Sequence, residues 1–516
     1  MIFRTKFTLL KKVLPAFLIF FSLLSVITIQ SCRKKRTELA TVLFKKTHNK
    51  VFRDLTPEGF SEAFKALLEK EKPKIPNAEI IRLYYDQNDY EPVYVLDHLF
   101  NDDLLSAANY FQHADAHGLN VQEFQGDTLK LLISKFHSKD AIKTLKEAYQ
   151  DMAKIELITA NSLLVYSKQL QYGVVDPKKI FQRYYLDTQK PDSIASLRIF
   201  NLKNIKSYLD SIQPRDTQYV ALQKALVSGV QAPGLSAEET KRILIVNLER
   251  LRWKNKPTQQ KYVIVNIPDF TLNVIDSGHS VLNMKVCVGE GRNLANQNTV
   301  LSYNDTAKVD KPFPRETPLL NSMIYCVDVN PVWNIPNSIA TKEIIVDAAK
   351  DRYYLSNKNI EVYKFGKLIK DPESIDWSKV TKQNSDYEFK QKPGADNALG
   401  KIKFLFKNKS DVYLHDTPAK FAFTKTMRSV SHGCVRLGSP EALALNLFGN
   451  TPKYKLIEKD MSLDKPEPTT IYLPKKIPVY LQYYTCWDDK GILQFRQDVY
   501  GLDVVLYDQL KNQKTI

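Results

Sequence analysis

The hydrophobic period of this chain changes once, close to Lys254-Asn255-Lys256-Pro257, and the change confines the two halves to different kinds of structure. From Thr37 to Trp253 apolar residues recur at helical spacing. Thr56-Pro57-Glu58 opens a segment with Phe60, Phe64, Leu67 and Leu68 on one face. Ala141 to Leu170 reads as one long helix or two abutting ones, and Gly118 and Gly173 read as stops. Ser236 with Glu239 forms a capping box for a helix that carries Leu244, Leu248 and Leu251. Beyond Pro257 the period falls to two. Tyr262-Val263-Ile264-Val265 is a short apolar run, Phe270, Leu272 and Val274 alternate with Thr271 and Asn273, and Ile402, Phe404 and Phe406 alternate mostly with lysines. These are half-buried strands.

The expectation is a multidomain α+β chain: a leader over 1–36, a mostly helical scaffold over 37–255 and a β-rich domain over 256–516. Within the last, the polar and charged stretch 337–390 suits an inserted cap. Further strands are expected within 465–516, at Ile471 to Leu473, Val479 to Tyr484 and Leu493 to Phe495. At 516 residues the chain is long enough to bury full cores without staples.

The formal charge of +17 invites a nucleic-acid reading, but residues 1–36 carry eight Lys/Arg and no acid, which leaves only +9 for the rest. The basicity belongs largely to the leader, and no nucleic-acid partner is expected. Arg4, Lys6, Lys11 and Lys12 precede an apolar run from Val13 to Ile29, followed by Gln30-Ser31-Cys32, the layout of a secretory signal. A small residue before Cys32 resembles a bacterial lipoprotein signal, with Cys32 as the lipidated residue. An uncleaved anchor is the alternative, since the run approaches the ~20 residues of a bilayer span. Either way the chain is expected to be exported and tethered to a membrane. Of the other cysteines, Cys287, Cys326 and Cys486 match no disulfide or metal-ligand spacing and read as small buried residues. His113 and His117 lie four apart but lack a third ligand nearby, so no metal site is expected.

Chemistry concentrates in one cassette. Asp411-Val412-Tyr413-Leu414 reads as a strand that delivers His415 at its end, before Asp416-Thr417-Pro418; Ser431-His432-Gly433-Cys434-Val435-Arg436 follows. A free thiol is only about 3% thiolate at neutral pH, so a nucleophilic cysteine needs an imidazole or cationic partner. His415 and His432 are both candidates. Ser439-Pro440-Glu441 reads as a helix start with Ser at the N-cap, which places Cys434 in a turn just before a helix. Gly433 permits a tight backbone there, and the amides of residues 432 to 434 could converge on an oxyanion, an effect worth about 3 to 4 kcal/mol per donor.

His415-Asp416-Thr417-Pro418 followed by Ser431-His432-Gly433-Cys434, with fifteen residues between His415 and Ser431, resembles the signature of the YkuD-type L,D-transpeptidase catalytic domain. Asn330-Pro331-Val332-Trp333-Asn334-Ile335-Pro336, the run Pro393 to Gly400, and Pro478-Val479-Tyr480 with Tyr484 are similar to the large, cap-bearing YcbB-like subgroup, and Leu248-Glu249-Arg250-Leu251-Arg252-Trp253 is similar to its scaffold. One departure concerns the peptidoglycan-binding module usual in that subgroup. The interval from Val227 to Ser236 cannot hold one, since a stable domain needs roughly 40 residues.

The resemblance implies Cys434 as nucleophile, His415 as general base and the main chain of Asp416 as the group that orients it. His432 and Gly433 would shape the oxyanion loop. Arg428 and Arg436 would hold a stem-peptide carboxylate, while Trp333, Tyr413 and Ser431 would line the substrate cleft. The implied reaction needs no cofactor. It takes a tetrapeptide stem of peptidoglycan as acyl donor and the side-chain amine of a neighbouring stem as acceptor, giving 3-3 crosslinks. An L,D-carboxypeptidase, with water as acceptor, and an inactive peptidoglycan-binding envelope scaffold are the alternatives.

Overall fold

The computed structural model describes residues 36–192, 196–255, 257–291, 315–381, 386–463 and 466–512. The leader, with Cys32, lies outside these residues. No helix among those described is long and apolar enough to cross a membrane.

The N-terminal part is helical, as its period requires. Helix α1 (Pro57–Glu71) is capped by Thr56, whose hydroxyl accepts from the Gly59 amide, and buries Phe60, Phe64 and Leu68. Helix α2 (Leu145–Tyr172) is one unbroken element that ends at Gly173, where φ is +89°. It forms the spine of the scaffold core, packing Met152, Ile155, Leu163 and Tyr166 among the shorter helices. Helices α3 (Thr217–Ser228) and α4 (Ala237–Arg252) follow, the second capped by Ser236 through the Glu239 amide, as the capping box predicts.

One part of the expected scaffold belongs elsewhere. Strand β1 (Tyr184–Tyr185) pairs with the catalytic sheet, and Val175, Phe181, Tyr184, Leu186 and Trp253 join that sheet's core. Two adjacent tyrosines are too short a stretch to show a period.

The β-rich part is built on β2 (Lys261–Asn266), β3 (Thr271–Asp276), β4 (His279–Gly289) and β5 (Leu319–Val329). It continues through β6 (Trp333–Ile335), β7 (Ile360–Lys364), β8 (Lys367–Leu368), β9 (Tyr387–Gln391), β10 (Ile402–Phe406), β11 (Leu414–His415), β12 (Ser429–Ser431), β13 (Val435–Leu437) and β14 (Thr469–Gln482). The main sheet runs β1-β5-β10-β11-β13-β4-β3-β2-β14, and β14 pairs with β5 as well as β2, so the sheet closes on itself. Val263, Val265, Leu272, Val274, Val286, Val288, Leu414, Val435 and Leu437 point to its core. Alternation then sends their neighbours to the opposite face.

Residues 333–391, a wider span than the stretch 337–390 read as an inserted cap, form a separate small layer. Strands β6, β9, β7 and β8 form their own sheet around a core of Ile335, Ile345, Val362, Trp377 and Phe389. The strands expected at 471–473 and 479–484 prove to be one, β14, and a hairpin of β15 (Cys486–Asp489) and β16 (Ile492–Phe495) follows. The tail then ends in a helix, α7 in a count that includes α5 (Pro440–Phe448) and α6 (Pro452–Met461); α7 spans Leu502–Asn512 and was not expected.

Buried polar groups fasten the two parts together. Glu249, in α4, accepts from the amides of Val174 and Val175, from Trp253 Nε1 and from the Arg252 guanidinium. Arg250 pairs with Asp503 at 2.5 Å, and Thr485 bridges Asn247 to Asp503. The Leu248 to Trp253 motif is thus the joint between scaffold and sheet.

Candidate active site

Register brings the cassette together. In β11 and β13, which run parallel, Leu414 pairs with Val435 and His415 with Arg436; in β13 and β4, antiparallel, Arg436 pairs with Cys287. Leu414 and Val435 face the core, so Tyr413, His415, Cys434 and Arg436 share the opposite face. Cys434 and His415 are diagonal neighbours across one strand spacing and two residues, about 8 Å between backbones and within reach of their side chains. The Tyr413 and His415 rings stand edge to face at 5.6 Å.

His415 is 4% exposed, and its Nδ1 lies 2.5 Å from the Asp416 carbonyl. A carbonyl oxygen only accepts, so Nδ1 carries the proton and Nε2 is left with its lone pair. Burial, with the nearby Arg436 cation, pushes His415 down to about 4. The Asp416 carboxylate faces away: it accepts from the Lys401 amide (2.9 Å) and from Lys420 Nζ (2.6 Å), tying down the turn at Gly400. At Gly400 φ is +61° and a Cβ would meet that carboxylate at 2.3 Å, so only glycine fits.

Cys434 is partly exposed, and burial pushes its thiol up to about 11, opposed by hydrogen bonds from Tyr413 and by the cations Arg436 and Arg183. The helix starts at Pro440 as expected, but Cys434 does not lie in the turn just before it. Strand β13 separates Cys434 from α5, and Ser439 makes no side-chain cap. Thiol and imidazole are therefore both held in their neutral forms.

The loop before Cys434 is clasped from below. Ser431 Oγ accepts from the Gly433 amide (3.2 Å) and donates to the Cys434 carbonyl (2.5 Å). Thr317 Oγ1 donates to the Gly433 carbonyl (2.8 Å), and the Tyr500 hydroxyl bridges the Thr317 amide and the Gly289 carbonyl. Gly433 sits at φ +118°, a backbone closed to other residues. The Gly433 amide is occupied by Ser431, and among the described residues nothing accepts from the amides of His432 or Cys434. Those two amides, rather than three, are open to an oxyanion.

Two expected substrate contacts need correction. Arg428 is 8% exposed, and its guanidinium donates to the carbonyls of Val286, Phe270, Lys425 and Thr426. It is a strut between β4 and the cassette, with no face left for a carboxylate. Ser431, 1% exposed, is the clasp just described and does not line a cleft. Trp333 packs partly buried on the cap core, in β6. His432 turns outward: Nε2 meets Glu343 of the cap at 2.7 Å, and Arg315 donates to the same carboxylate at 2.9 Å. Arg436 is the cation still uncommitted. Its Nε is buried and has no hydrogen-bond partner among the described residues.

Sequence reasoning missed Glu343, Thr317 and Tyr500, which lie far from the cassette in the chain. It also missed Arg183, which donates to the Glu316 carbonyl and reaches the site from the segment before β1. No metal-binding cluster occurs among the described residues, and His117 is buried against the Tyr219 hydroxyl and the carbonyl-bonded Arg252. Cys287, Cys326, Cys434 and Cys486 are all free thiols.

Residues 260–493 match the family described as the L,D-transpeptidase catalytic domain, YkuD, and residues 79–226 match the Scaffold domain. A Haemophilus influenzae protein provisionally named an L,D-transpeptidase is 29% identical over 260 residues, which cover 50% of this chain and 48% of that protein. The match thus spans about half the length of that curated relative. An L,D-transpeptidase structure from Mycobacterium smegmatis aligns at 13% identity over 43% of this chain and 58% of its own, with a TM-score of 0.20, too low to bear on the fold. With cassette and closed sheet in place, residues 260–493 carry a YkuD-type L,D-transpeptidase catalytic domain, behind a Scaffold domain over residues 79–226.

Proposed function

We propose that this protein is a peptidoglycan L,D-transpeptidase of the cell envelope, tethered to a membrane through its leader, that forms 3-3 crosslinks between stem peptides. The observation that carries the reading is the shared face of Cys434, His415 and Arg436, with the Nε2 lone pair of His415 fixed by the Asp416 carbonyl. His415 Nε2 takes the Cys434 proton as sulfur attacks the carbonyl of the donor's third residue. The amides of Cys434 and His432 receive the oxyanion. His415 then passes the proton to the departing D-amino acid nitrogen, leaving a thioester. The acceptor amine attacks that thioester and gives its proton to His415, which returns it to the thiol.

Arg436, with its unpartnered Nε, suits a carboxylate of the donor stem, where a buried charge-assisted bond is favourable. Tyr413, hydrogen-bonded to the thiol and edge to face with the His415 ring, touches both members of the pair. Incubating the protein with disaccharide tetrapeptide and resolving products by mass tests the reading. Crosslinked dimers with loss of the terminal D-residue are expected, and Cys434→Ser should abolish them. Tripeptide alone would point to the carboxypeptidase instead, and no turnover with a reduced thiol would sink both.

A further inference from the structure

We propose that the face of β2 and β3 opposite the core is a groove for the glycan strand of peptidoglycan, a β-linked polymer of N-acetylated amino sugars; the proposal rests on the function above. A cavity of about 370 Å³ lies over that face, between it and the β15–β16 hairpin, within the size range of small-ligand sites. Tyr262, Ile264, Tyr484 and Trp487 supply apolar and aromatic walls, and Asn273 lies on its floor. Asp269 is the one charged residue lining it, and Arg496 neutralises it at 2.6 Å while stacking on Trp487 at 4.9 Å. An uncharged lining of rings and amides suits a pyranose, which has apolar faces and a neutral polar rim. It suits a multiply charged stem peptide poorly.

Asn273 adds orientation. Its Oδ1 accepts from Ser280 Oγ and Asn283 Nδ2, both at 2.9 Å, which fixes the amide, and among the described residues nothing accepts from its Nδ2. That donor matches the carbonyl of an acetamido group.

Position relates the groove to the thiol. Ile264 pairs with Asn273 and Tyr262 with Ile275; Asn273 pairs with Asn283 and Thr271 with Lys285 on β4. Asn283, Lys285 and Cys287 alternate along one face of β4, and Cys287 is opposite Arg436. Groove and active site therefore share one face of one sheet. From Asn273 to Cys434 is two strand spacings across and six residues along β4, about 22 Å. A second depression of about 1030 Å³ shares Asp269 and Thr271 with the groove and ends on Thr424 to Arg428, the segment that leads into β12 and the Cys434 loop. A strand lying in the groove would carry its stems toward the thiol.

The test uses the full chain and two readouts. Binding of a β-1,4-linked N-acetylglucosamine tetramer is followed by calorimetry and by tryptophan fluorescence, in the wild type and in Cys434→Ser. Turnover of a sugar-free tetrapeptide is measured alongside. Saturable binding is expected in both proteins, weakened about tenfold or more by Trp487→Ala and by Tyr262→Ser, with tetrapeptide turnover unchanged. Asn273→Leu, which leaves the rings in place, should weaken binding of the acetylated tetramer more than that of its deacetylated counterpart. The proposal is overturned if the wild type fails to bind the tetramer, if the variants bind as the wild type does, or if they lose tetrapeptide turnover together with binding. Because binding is read without catalysis, failure of the transpeptidase reading leaves this result standing on its own.

Discussion

The thiol near 11 and the imidazole near 4 make a definite claim: the resting pair is neutral, and the proton moves only as the carbon–sulfur bond forms. An alternative is a preformed thiolate–imidazolium pair, which would need the opposite shifts. Titrating alkylation of Cys434 by iodoacetamide separates the two. At pH 7 a thiol with a pKa of about 11 is ionised to about 0.01%, against about 1% at the ordinary 9.0. The greater intrinsic nucleophilicity of the more basic thiolate returns roughly eightfold over two pKa units. The net expectation is alkylation about tenfold slower than a small free thiol at pH 7, rising about tenfold per pH unit toward 11. His415→Ala then decides the matter. It should leave that alkylation profile nearly in place, because a neutral imidazole contributes no charge, while turnover of the tetrapeptide donor falls by about 10²–10⁴. A break in the alkylation profile below pH 7 that disappears in His415→Ala would refute the neutral pair.

Three further outcomes follow from the packing. Gly433→Ala forces φ +118° on a residue with a Cβ, a strain of about 1–3 kcal/mol; activity should collapse while the circular dichroism and melting of the scaffold stay unchanged. Arg250→Ala strands the buried Asp503 and should cost about 3–5 kcal/mol in denaturant unfolding, whereas Arg242→Ala, whose partner is an exposed Glu238, should cost less than about 1 kcal/mol. Glu156 is buried, which raises its carboxyl from an ordinary 4.5 to about 7 despite donors from Tyr85 and Val95. The folded state thus binds the proton more tightly than the unfolded state, so the stabilisation is full below about 4.5 and is lost as pH rises to about 7. Relative to Glu156→Gln, the wild type should lose roughly 3 kcal/mol across that window, measured by urea unfolding at each pH.

What was legible in the sequence was whatever has a local cause. The caps at Thr56 and Ser236, the glycine stop at Gly173 and the alternation of β2, β3 and β10 are written in neighbouring residues. The Cys434 and His415 cassette was legible for the same reason. Arg428 shows where the reading stopped. A basic residue six positions from a nucleophile looks like an anion site, and only tertiary register shows that carbonyls from β3's approach, β4 and its own turn already surround it. Ser431 failed likewise, because its clasp on Gly433 and Cys434 depends on the φ +118° turn. The strand β1 and the Thr317–Tyr500 strut are contacts between segments far apart in the chain, with no periodic or compositional mark.

The cap latch shows how such a long-range contact bears on catalysis. Glu343 lies in the π-helical turn Ala340–Ile344, a geometry that re-aims side chains and recurs at functional sites. Its carboxylate accepts from His432 and from Arg315, and Arg315 also reaches Glu290 at 2.9 Å, so cap, catalytic loop and the end of β4 meet at one charge cluster. The side chains are 26–38% exposed, so solvent screens each pair to about 0.2–1 kcal/mol. Together they are worth about 1–2 kcal/mol, which favours the contact between cap and loop by roughly 5- to 30-fold. Glu343→Gln should therefore raise amide hydrogen exchange in 337–350 by about that factor and raise KM for the tetrapeptide donor more than it lowers kcat, since Cys434, His415 and the Ser431 clasp are untouched. High salt should reproduce much of the effect in the wild type and add little in the variant. Unchanged exchange in 337–350 would mean that these ion pairs do not hold the cap. A fall in kcat with KM unchanged would mean that Glu343 acts through His432 on the oxyanion loop.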